Sequence, residues 1–435
     1  MFAFREKTVW IIAALSLFVL APSFAGAAEE PCNGSVELCD RPLDQVVLPG
    51  THNSMSAEEL DWALPNQTYS ITHQLDRGVR SLLFDTYYGE VQVNGQVKDI
   101  SKAQGEATDA QTFMCHSLCL LGFVDLKTEL GRIADFLAAN PREVFVFVNQ
   151  DNITPGAFAE AVDESGLLPY VYKGSATSFP TIGEMIDSNQ RVVMLAEADA
   201  GDVPWYHRGY DGPMMETPYS FVATPESPTG GLTDPAQLNE TCRANRGIEG
   251  SPLFLMNHWV STGVTPEVGK AAIVNTKEAI VARARACEAR RGKLPNIVAV
   301  DFFGQGDVVG AVRHLNGLEK PILTVTKPKP VAVKAKRKAI FRIPVTNSGD
   351  AEANSVKVCA TVPTRLARKP RCTMIASIPL GTAAVAKLSL VTKKRFKRAS
   401  GTVKFTVYSS QPTLTTSAKL TVKPLKKPRS KKNNR

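Results

Sequence analysis

Acidic residues are almost absent from the last quarter of this chain. Residues 321–435 contain 27 Lys and Arg but two acidic residues, Asp350 and Glu352, whereas residues 1–320 contain 24 Lys and Arg and 40 acidic residues. The net charges of the two parts are therefore +25 and −16, which a single compact domain rarely combines. This division predicts two domains with different partners, joined by a stretch at 323–338 that is rich in Pro, Lys and Val.

Long apolar runs are missing after the first 20 residues, which argues against a helical membrane span in the main body of the chain. The apolar run at 9–20 follows Arg5 and Lys7 and precedes small residues at 25–27. This order is typical of a cleaved secretory signal peptide, although an uncleaved membrane anchor is the alternative. We therefore expect residues 1–27 to be a signal peptide and the mature protein to be secreted or held in the cell envelope.

Histidine is scarce as well, with six in the chain, and none of them forms the spacing of a zinc-protease motif. Six of the eight cysteines fall at short paired spacings: Cys32 with Cys39, Cys115 with Cys119, and Cys359 with Cys372. Cys242 and Cys287 are left over and could pair, and the connectivity stays open at this point. An even number of cysteines in an exported chain predicts disulfides. A zinc site or free thiols are the alternatives, and the scattered positions of the pairs disfavour zinc.

Short apolar runs alternate with helical patterns between residues 40 and 320. The runs at 45–48, 79–84, 144–148, 192–195, 253–256 and 297–302 are typical of parallel strands covered on both faces. Amphipathic patterns predict helices at 125–139, from 180 onward, and at 266–291. This alternation predicts an α/β fold for residues 28–322, and the length suits a TIM-type (β/α) barrel.

The helical period disappears after residue 323. Segments at 339–344, 355–362, 386–391 and 403–407 alternate apolar and polar residues, with turn residues between them. We interpret residues 323–424 as a small all-β sandwich and residues 425–435 as a basic disordered tail.

The bases of this second domain cluster at 393–398 and again in the tail. Such clusters predict contact with an anionic membrane or cell-wall surface. Few aromatic residues interleave them, so we expect no nucleic acid partner. A solvated, solubilising surface is the alternative.

Two histidines stand where barrel enzymes place their chemistry. His52 follows the first predicted strand, and His116 lies in a short loop between Cys115 and Cys119. Active sites of barrels form at the carboxyl ends of the strands. Two histidines there could remove a proton from an attacking hydroxyl and return one to a departing oxygen. Spacing alone is equally compatible with two structural histidines.

Several motifs occur together in a defined order. The stretches 48–54, 70–75, 78–80, 83–87, 115–117, 140–144, 180–186 and 296–302 resemble, in sequence, the X domain of phosphatidylinositol-specific phospholipases C, especially its secreted bacterial members. The resemblance covers most of the predicted barrel domain. The second domain resembles immunoglobulin-like modules of bacterial surface proteins through residues 345–351.

The phospholipase resemblance implies a role for three residues. His52 would be the general base that activates the inositol 2-hydroxyl, and His116 the general acid for the leaving group. Asp301 would orient His52. Attack by the substrate's own hydroxyl would give a cyclic phosphate first.

The same resemblance implies a calcium site with an incomplete set of ligands. Asn53 and Asp85 stand where calcium-using members place oxygen ligands. Asn149 stands at the position of a later acidic ligand, with Asp151 nearby, and Leu83 replaces a further acid. Calcium is the cofactor that the resemblance implies, and a site without metal is the alternative.

Glu197 follows a predicted strand, His258 lies at a strand end, and Trp205 is a candidate for the rim of the site. We expect these three residues to contact the substrate, with ordinary packing or a solvated loop as the alternative. The sequence as a whole predicts a secreted phosphoric diester hydrolase or lyase that cleaves phosphatidylinositol-type phosphodiesters, with a phospholipid or a glycerophosphoinositol as substrate. The alternative is a catalytically weak or inactive protein that binds the anionic cell envelope, which the identities of Leu83 and Asn149 favour.

Overall fold

The computed structural model describes residues 30–219, 234–262, 265–368, 370 and 372–426. The expected signal peptide at 1–27 and the tail beyond residue 426 lie outside the described residues. Helices and strands alternate as far as residue 315, and strands alone follow from residue 323, at the boundary that the charge distribution predicts. Within the described ranges, no helix is both long and apolar enough to cross a membrane.

The first domain contains the following strands: β1 Leu48–Thr51, β2 Ser81–Val91, β3 Val97–Ile100, β4 Thr112–Cys115, β5 Phe123–Asp125, β6 Phe145–Asn152, β7 Val192–Ala196, β8 Tyr206–Arg208, β9 Met214–Glu216, β10 Leu253–His258, β11 Ser261–Thr262, β12 Thr265–Pro266 and β13 Ile297–Val300. Its helices are α1 Ile71–Asp76, α2 Lys102–Thr108, α3 Leu126–Ala139, α4 Pro155–Glu164, α5 Ile182–Asp187, α6 Pro235–Glu240, α7 Val268–Val274, α8 Lys277–Arg291 and α9 Val308–Leu315.

Eight strands form one parallel sheet in the order β8-β7-β6-β2-β1-β13-β10-β9. The sheet is curled, because strands from both halves of this order line a single cavity. Strands β3, β4 and β5 extend β2 on one side through antiparallel pairs. Among the described strands no ladder joins β8 to β9, so the predicted barrel is open at this point.

Alternation along the strands divides the apolar side chains between two cores. In β10, Leu253 and Leu255 point into the curled sheet, whereas Phe254 and Met256 pack beneath the surrounding helices. The other central strands follow the same rule. This parity also decides which side chain at each strand end can reach the cavity.

Strand β1 begins later than the sequence predicts. The predicted strand at 45–48 is in part a 3₁₀ turn, Leu43–Gln45, and the ladder continues through Pro49 and Gly50, beyond the predicted end of the strand. A Cβ at Gly50 would lie 3.0 Å from Ile297 and 3.3 Å from Ser81, so glycine permits close strand packing here. His52 therefore follows directly after the last residue of β1, at the carboxyl end of this strand.

The helix predicted at 266–291 is divided into α7 and α8 around Asn275. The Asn275 side chain donates to the backbone oxygen of Asp301 at 2.7 Å, and its own backbone oxygen accepts from Asp307 N at 2.8 Å. The interruption therefore supports the loop that follows β13, where Asp301 lies.

The second domain, called the β-domain below, contains eight strands: β14 Leu323–Val325, β15 Val331–Lys334, β16 Lys338–Asn347, β17 Ala353–Thr361, β18 Thr373–Ile378, β19 Ala383–Val391, β20 Ala399–Tyr408 and β21 Leu414–Lys423. They form two sheets, β14-β16-β19 and β15-β21-β20-β17-β18. The sheets enclose one apolar core, in which the rings of Phe341 and Phe405 lie 5.1 Å apart. The predicted all-β character is confirmed, and the four predicted segments fall on β16, β17, β19 and β20.

The β-domain contacts the barrel at the amino ends of the barrel strands. Arg313 in α9 forms an ion pair with Asp350 at 2.7 Å, and the backbone nitrogen of Lys320 donates to the same carboxylate at 2.8 Å. The end of α9 lies beside the start of β1, because Val47 N donates to Asn316 Oδ1 at 2.9 Å. The contact is therefore at the opposite end of the barrel from the carboxyl ends of the strands.

All four predicted disulfides are present: Cys32–Cys39, Cys115–Cys119, Cys242–Cys287 and Cys359–Cys372. The described chain has no free cysteine.

Candidate active site

A polar cavity of about 250 Å³ opens at the carboxyl ends of the barrel strands. The residues that line it are His52, Asn53, Leu83, Phe84, Asp85, His116, Ser117, Val148, Gln150, Glu197, Tyr210, Glu216, Tyr219, Arg246, Leu255, Asn257 and Trp259. The two histidines singled out in the sequence thus face one space. So do Asn53, Asp85 and Glu197.

Hydrogen bonds on both ring nitrogens orient His52. Its Nδ1 lies 2.9 Å from Asp301 Oδ1, and Asn53 Nδ2 lies 3.2 Å from its Nε2. These contacts are satisfied together when Nδ1 carries the proton and donates to Asp301, and Nε2 accepts from Asn53. Nε2 is then unprotonated, as a general base requires, and its lone pair accepts from Asn53.

Two further contacts hold this arrangement. Asn66 Nδ2 donates to Asp301 Oδ1 at 3.2 Å. The indole of Trp259 stacks on the His52 ring with centroids 3.8 Å apart and an interplanar angle of 2°. A stacked indole fixes the ring plane and favours the protonated imidazole that forms after proton abstraction.

His116 is held by its backbone. The Cys115–Cys119 disulfide closes the loop that carries it, and Leu118 N donates to His116 O at 2.7 Å. The next residue, Ser117, has a φ of 61°, a left-handed conformation that reverses the chain and turns the histidine toward the cavity. Within the described part of the chain, no side chain hydrogen-bonds to the His116 ring.

The two imidazole rings lie 6.5 Å apart between centroids, at an interplanar angle of 73°. Burial, with a smaller contribution from the nearby His52, lowers the pKa of His116 to about 4. Without a bound anion His116 is therefore neutral near pH 7.

The alternation of side chains along β6 and β10 places Asp151 and His258 on the side away from the cavity. In β6, Gln150 points inward, while Asp151 accepts hydrogen bonds from Ala198 N and Asp199 N on the outer side at 2.8 and 2.9 Å. In β10, Asn257 points inward, and His258 is buried beneath the helices, with Nε2 2.9 Å from Val274 O. The placement of Asp151 as a metal ligand and of His258 as a pocket residue was therefore wrong.

Trp205 also lies outside the cavity lining. It packs against Phe158 and Tyr206 in the outer core, so its predicted substrate contact was wrong and the packing alternative holds. Gln150, not Asn149, occupies the inward position at the end of β6, because Asn149 donates to the Tyr206 hydroxyl at 2.8 Å on the outer side.

The cavity lining also contains an arginine that the sequence analysis missed, Arg246. Arg246 forms a bidentate ion pair with Glu197, at 2.8 and 2.9 Å, and a second ion pair with Glu216 at 2.7 Å. Its guanidinium also stacks over the Tyr210 ring at 3.9 Å. Burial opposes its ionisation, but the hydrogen bonds to Glu197 and Glu216 outweigh burial and raise the pKa of Arg246 above its usual value. No motif marks Arg246, since its partners are distant in sequence.

Carboxylates outnumber cations in this lining. The lining contains a single guanidinium and three carboxylates, those of Asp85, Glu197 and Glu216. If the histidines are not counted, the described lining therefore carries a net negative charge. Burial, and then repulsion from Glu197, raises the pKa of Asp85 well above its usual value. A phosphodiester anion would meet repulsion here unless a cation or a proton compensates for it.

Asp85 shares the cavity lining with two amide side chains, those of Asn53 and Gln150. Asn53 uses its nitrogen toward His52, which leaves its side-chain oxygen available, and the Gln150 amide lies 3.1 and 3.3 Å from the two Asp85 oxygens. With its nitrogen toward Asp85, Gln150 satisfies the carboxylate without metal; with its oxygen there, it completes a set of hard ligands that calcium prefers. Among the described residues no three His, Cys, Asp or Glu cluster as metal ligands, so the set rests on one carboxylate and two amides.

A second cavity of about 330 Å³ adjoins the first and shares His52, His116, Ser117 and Trp259 with it. Its other lining is mainly apolar: Trp62, Leu64, Leu118, Leu121 and Pro266, with Asn66 and Asp301. Leu64 and Leu118 are also exposed to solvent at its edge. The histidine pair therefore stands between a polar and an apolar compartment.

A comparison with models of protein families identifies the family of the first domain. The model of the family described as PI-PLC X 1 matches residues 38–316. A PI-PLC X domain-containing protein of Arthroderma benhamiae is 26% identical over 330 residues, which cover 71% of this chain and 97% of that protein. An uncharacterized secreted protein of the same fungus is 29% identical over 303 residues, which cover 65% of this chain and 62% of that protein.

Among solved structures, a double mutant of the phosphatidylinositol-specific phospholipase C from S. aureus has a TM-score of 0.40 and 14% identity, covering 64% of this chain and 93% of that one. This likeness is low, and the family assignment rests on the family model. Both protein relatives named above are fungal, so the particular resemblance to bacterial members stays a prediction.

Proposed function

Because the chain belongs to the PI-PLC X 1 family, we propose that it is a secreted phosphoric diester hydrolase or lyase that cleaves phosphatidylinositol-type phosphodiesters. The observation that carries this proposal is the pair of imidazoles, His52 and His116, which face each other across one cavity with centroids 6.5 Å apart. A phosphate between the rings would have a proton acceptor on one side and a proton donor on the other.

In the proposed reaction, a hydroxyl of the substrate head group attacks the phosphorus. His52 Nε2 takes the proton of that hydroxyl, and Asp301 stabilises the imidazolium that results. The new O–P bond forms as the bond to the leaving alkoxide breaks, and His116 transfers its proton to the departing oxygen. The products are a cyclic phosphodiester and a free alcohol. Hydrolysis of the cyclic product would use water and reverse the two roles.

His116 needs the substrate in order to act as an acid. Its pKa of about 4 leaves it neutral at pH 7. A phosphate anion beside the ring stabilises the imidazolium, so substrate binding would bring the proton with it. Burial of the ring strengthens that attraction, because the screening by water is reduced.

We infer that calcium is the cofactor, held by Asn53, Asp85 and Gln150. When bound, the ion neutralises phosphate charge in a lining where carboxylates are in excess. The ion pairs of Arg246 also support this inference. Its charge is already paired with two carboxylates, so another cation is needed to neutralise an entering phosphate. The polar cluster of Glu197 and Arg246 offers both donors and acceptors to the hydroxyls of a polyol head group.

The apolar compartment favours a phospholipid over a glycerophosphoinositol as substrate. The head group fits the polar cavity, and the leaving alcohol then points into the cavity walled by Trp62, Leu64 and Leu118. A glycerol without acyl chains would leave this apolar surface exposed to water, whereas a diacylglycerol would cover it with the first carbons of its chains.

An extracytoplasmic location is part of the proposal. The four disulfides and the similarity to a secreted fungal protein support it. We also propose that the two sheets of the β-domain form an immunoglobulin-like module, as the sequence at 345–351 suggests.

A catalytically weak envelope-binding protein is the second candidate. Leu83 lines the cavity where calcium-using members carry an acid, and Gln150 is neutral at the inward position of β6. This candidate predicts that the chain binds its ligand without turnover.

The decisive experiment measures release of product from phosphatidylinositol vesicles by the purified mature protein. We expect turnover, and we expect His52→Ala and His116→Ala each to lose about 100-fold or more of it, since each removes one proton transfer. His73→Ala is the matched control, because His73 is exposed and pairs with Glu59 away from the cavity. If both site variants cleaved at the parent rate, the assigned roles would be wrong.

Calcium is tested in the same assay and by melting. We expect a chelator to lower turnover and calcium to restore it. Added calcium should also raise the melting temperature of the parent and of Asp151→Asn, whose side chain faces outward, but not that of Asp85→Asn. An equal calcium response in Asp85→Asn would reject the proposed ligand set.

A further inference from the structure

Four segments that are distant in sequence meet at one end of the β-domain: 334–338, 365–368, 393–398 and 423–426. Backbone hydrogen bonds join them, from Ala335 N to Lys423 O at 2.9 Å, from Lys393 N to Leu366 O at 2.9 Å, and from Leu425 N to Arg395 O at 2.9 Å. We call this surface the basic end.

The basic end carries cations without acids. Every Lys and Arg in its four segments is exposed apart from the half-buried Arg395, and the segments contain no Asp or Glu. The two acids of the whole β-domain, Asp350 and Glu352, lie in the turn at the opposite end of β16. Among the described residues, the bases of the basic end take part in no ion pair.

This arrangement holds like charges against each other. Lys334 and Lys423 are neighbours in the parallel ladder of β15 and β21. Like charges on neighbouring strands repel, so the cluster carries a cost that a bound anion would remove. A solubilising surface needs dispersed charge and gains nothing from this concentration.

The basic end lies at the far end of the β-domain from its contact with the barrel. The barrel contact of the β-domain lies at Asp350, near the carboxyl end of β16, and β16 has 10 residues. A strand of that length spans about 33 Å, and it leads from the contact to Lys338 at the basic end. The cavity opens at the other end of the barrel, so the whole barrel and the sandwich separate the two sites.

We propose that the basic end binds a flexible, single-chain polyanion, a polymer that bears phosphate or carboxylate groups, and anchors the protein at a site remote from its catalytic cavity. A bilayer that presents substrate to the cavity would lie at the opposite end of the molecule, so the same bilayer does not account for the basic end. A flexible chain, by contrast, can follow bases spread over four loops and strand ends.

The test measures binding of the full chain to long-chain inorganic polyphosphate over a range of salt concentrations. We expect binding that weakens steeply with salt. Replacing three exposed bases of the basic end, in Lys393→Gln/Lys394→Gln/Lys423→Gln, should weaken binding by roughly 10- to 100-fold. Polyphosphate should also raise the melting temperature of the parent more than that of the variant.

The matched control is Lys357→Gln/Lys404→Gln/Lys419→Gln, which removes the same charge from exposed positions on the flank of the same domain. We expect this variant to bind almost as the parent does. Equal weakening of both variants would show a diffuse charge effect and overturn the proposal, as would absence of binding.

Two further probes separate the polymer from other partners. Vesicles of phosphatidylglycerol and duplex DNA are compared with polyphosphate at equal phosphate concentration and equal salt. Tighter binding to either, with the same dependence on the three lysines, would reject the polymer. None of these measurements depends on turnover, so they stand apart from the proposed catalytic function.

Discussion

The orientation and the tautomer of His52 depend on individual hydrogen bonds. Asp301 Oδ1 accepts at 2.9 Å from Nδ1 and also accepts from Asn66, so the carboxylate is itself fixed. Sequence reasoning identified Asp301 as the orienting residue but gave no sign of Asn66 or of the stacked Trp259. Asn66 is 235 residues from Asp301 in sequence, and Trp259 is similarly distant from His52, so no local pattern connects these partners.

Asp301→Asn should lower kcat by about 100-fold or more with little change in KM. The amide no longer holds the Nδ1 proton or stabilises the imidazolium, while the surfaces that bind substrate stay in place. Asp307→Asn is the control, since Asp307 caps α9 on the same loop and Asn is an equally good cap. A fall in kcat/KM caused by KM alone would contradict an orienting role for Asp301.

His116 should take up a proton when an anion binds. Its pKa of about 4 means that it is unprotonated at pH 6.5 in the empty site, and a bound phosphate raises that pKa. Calorimetric titration with a soluble phosphodiester, in two buffers of different ionisation enthalpy, should show uptake approaching one proton per site. His116→Ala should remove the uptake. Identical heats in the two buffers for the parent would count against the acid role.

The same shift affects stability with a definite sign. Between pH 6.5 and about 4 the unfolded chain binds a proton at His116 that the folded protein does not. The corresponding stability is fully present above the unfolded pKa and is lost as the pH falls through this window.

At the scale of elements, the alternation of strand residues explains which sequence predictions failed. Gln150 and Asp151 are neighbours in β6, and one lines the cavity while the other accepts backbone hydrogen bonds on the outer side. In β10 the same rule takes Asn257 inward and His258 outward. A predicted strand whose boundary is uncertain by one residue leaves this choice open, because one step reverses every side chain.

The Cys115–Cys119 loop is the element that carries the acid, and its disulfide should matter more for turnover than for stability. The two cysteines are 4 residues apart, so replacing both with Ala costs roughly 2 kcal/mol of loop entropy. Turnover should nevertheless fall at least tenfold, because no side-chain hydrogen bond holds His116 when its backbone is released.

The Cys242–Cys287 disulfide should matter more for stability than for turnover. That bond closes a separation of 45 residues, and replacing both cysteines with Ala should cost roughly 4 kcal/mol. Chemical denaturation together with steady-state kinetics on the two double variants tests this contrast. If the first variant kept full turnover, the loop would not position the acid.

At the scale of the whole molecule, the acidic first domain and the basic β-domain form a strongly dipolar particle. The charges of +25 and −16 belong to the two parts of the full sequence, and the basic end lies far from the barrel contact. The basic end of one copy should therefore attract the barrel of another at low ionic strength.

Sedimentation velocity should detect this association. We expect larger species at about 20 mM salt and a monomer at about 500 mM, where charges are screened within a few ångströms. The variant Lys393→Gln/Lys394→Gln/Lys423→Gln should associate less than the parent. A salt-independent sedimentation coefficient would contradict the electrostatic origin.

The sequence by itself predicted the division into an acidic and a basic part, the α/β and all-β classes, the disulfides of the closely spaced cysteines, and the motifs that contain His52, His116 and Asp301. These features depend on composition, on the spacing of apolar residues and on short motifs, all of which can be recognised from residues that are close together in sequence. The tertiary structure alone decided the opening between β8 and β9, the inward place of Gln150, the Arg246 cluster and the position of the basic end. Each of these depends on contacts between residues far apart in sequence or on a one-residue choice of strand face, and neither leaves a local pattern.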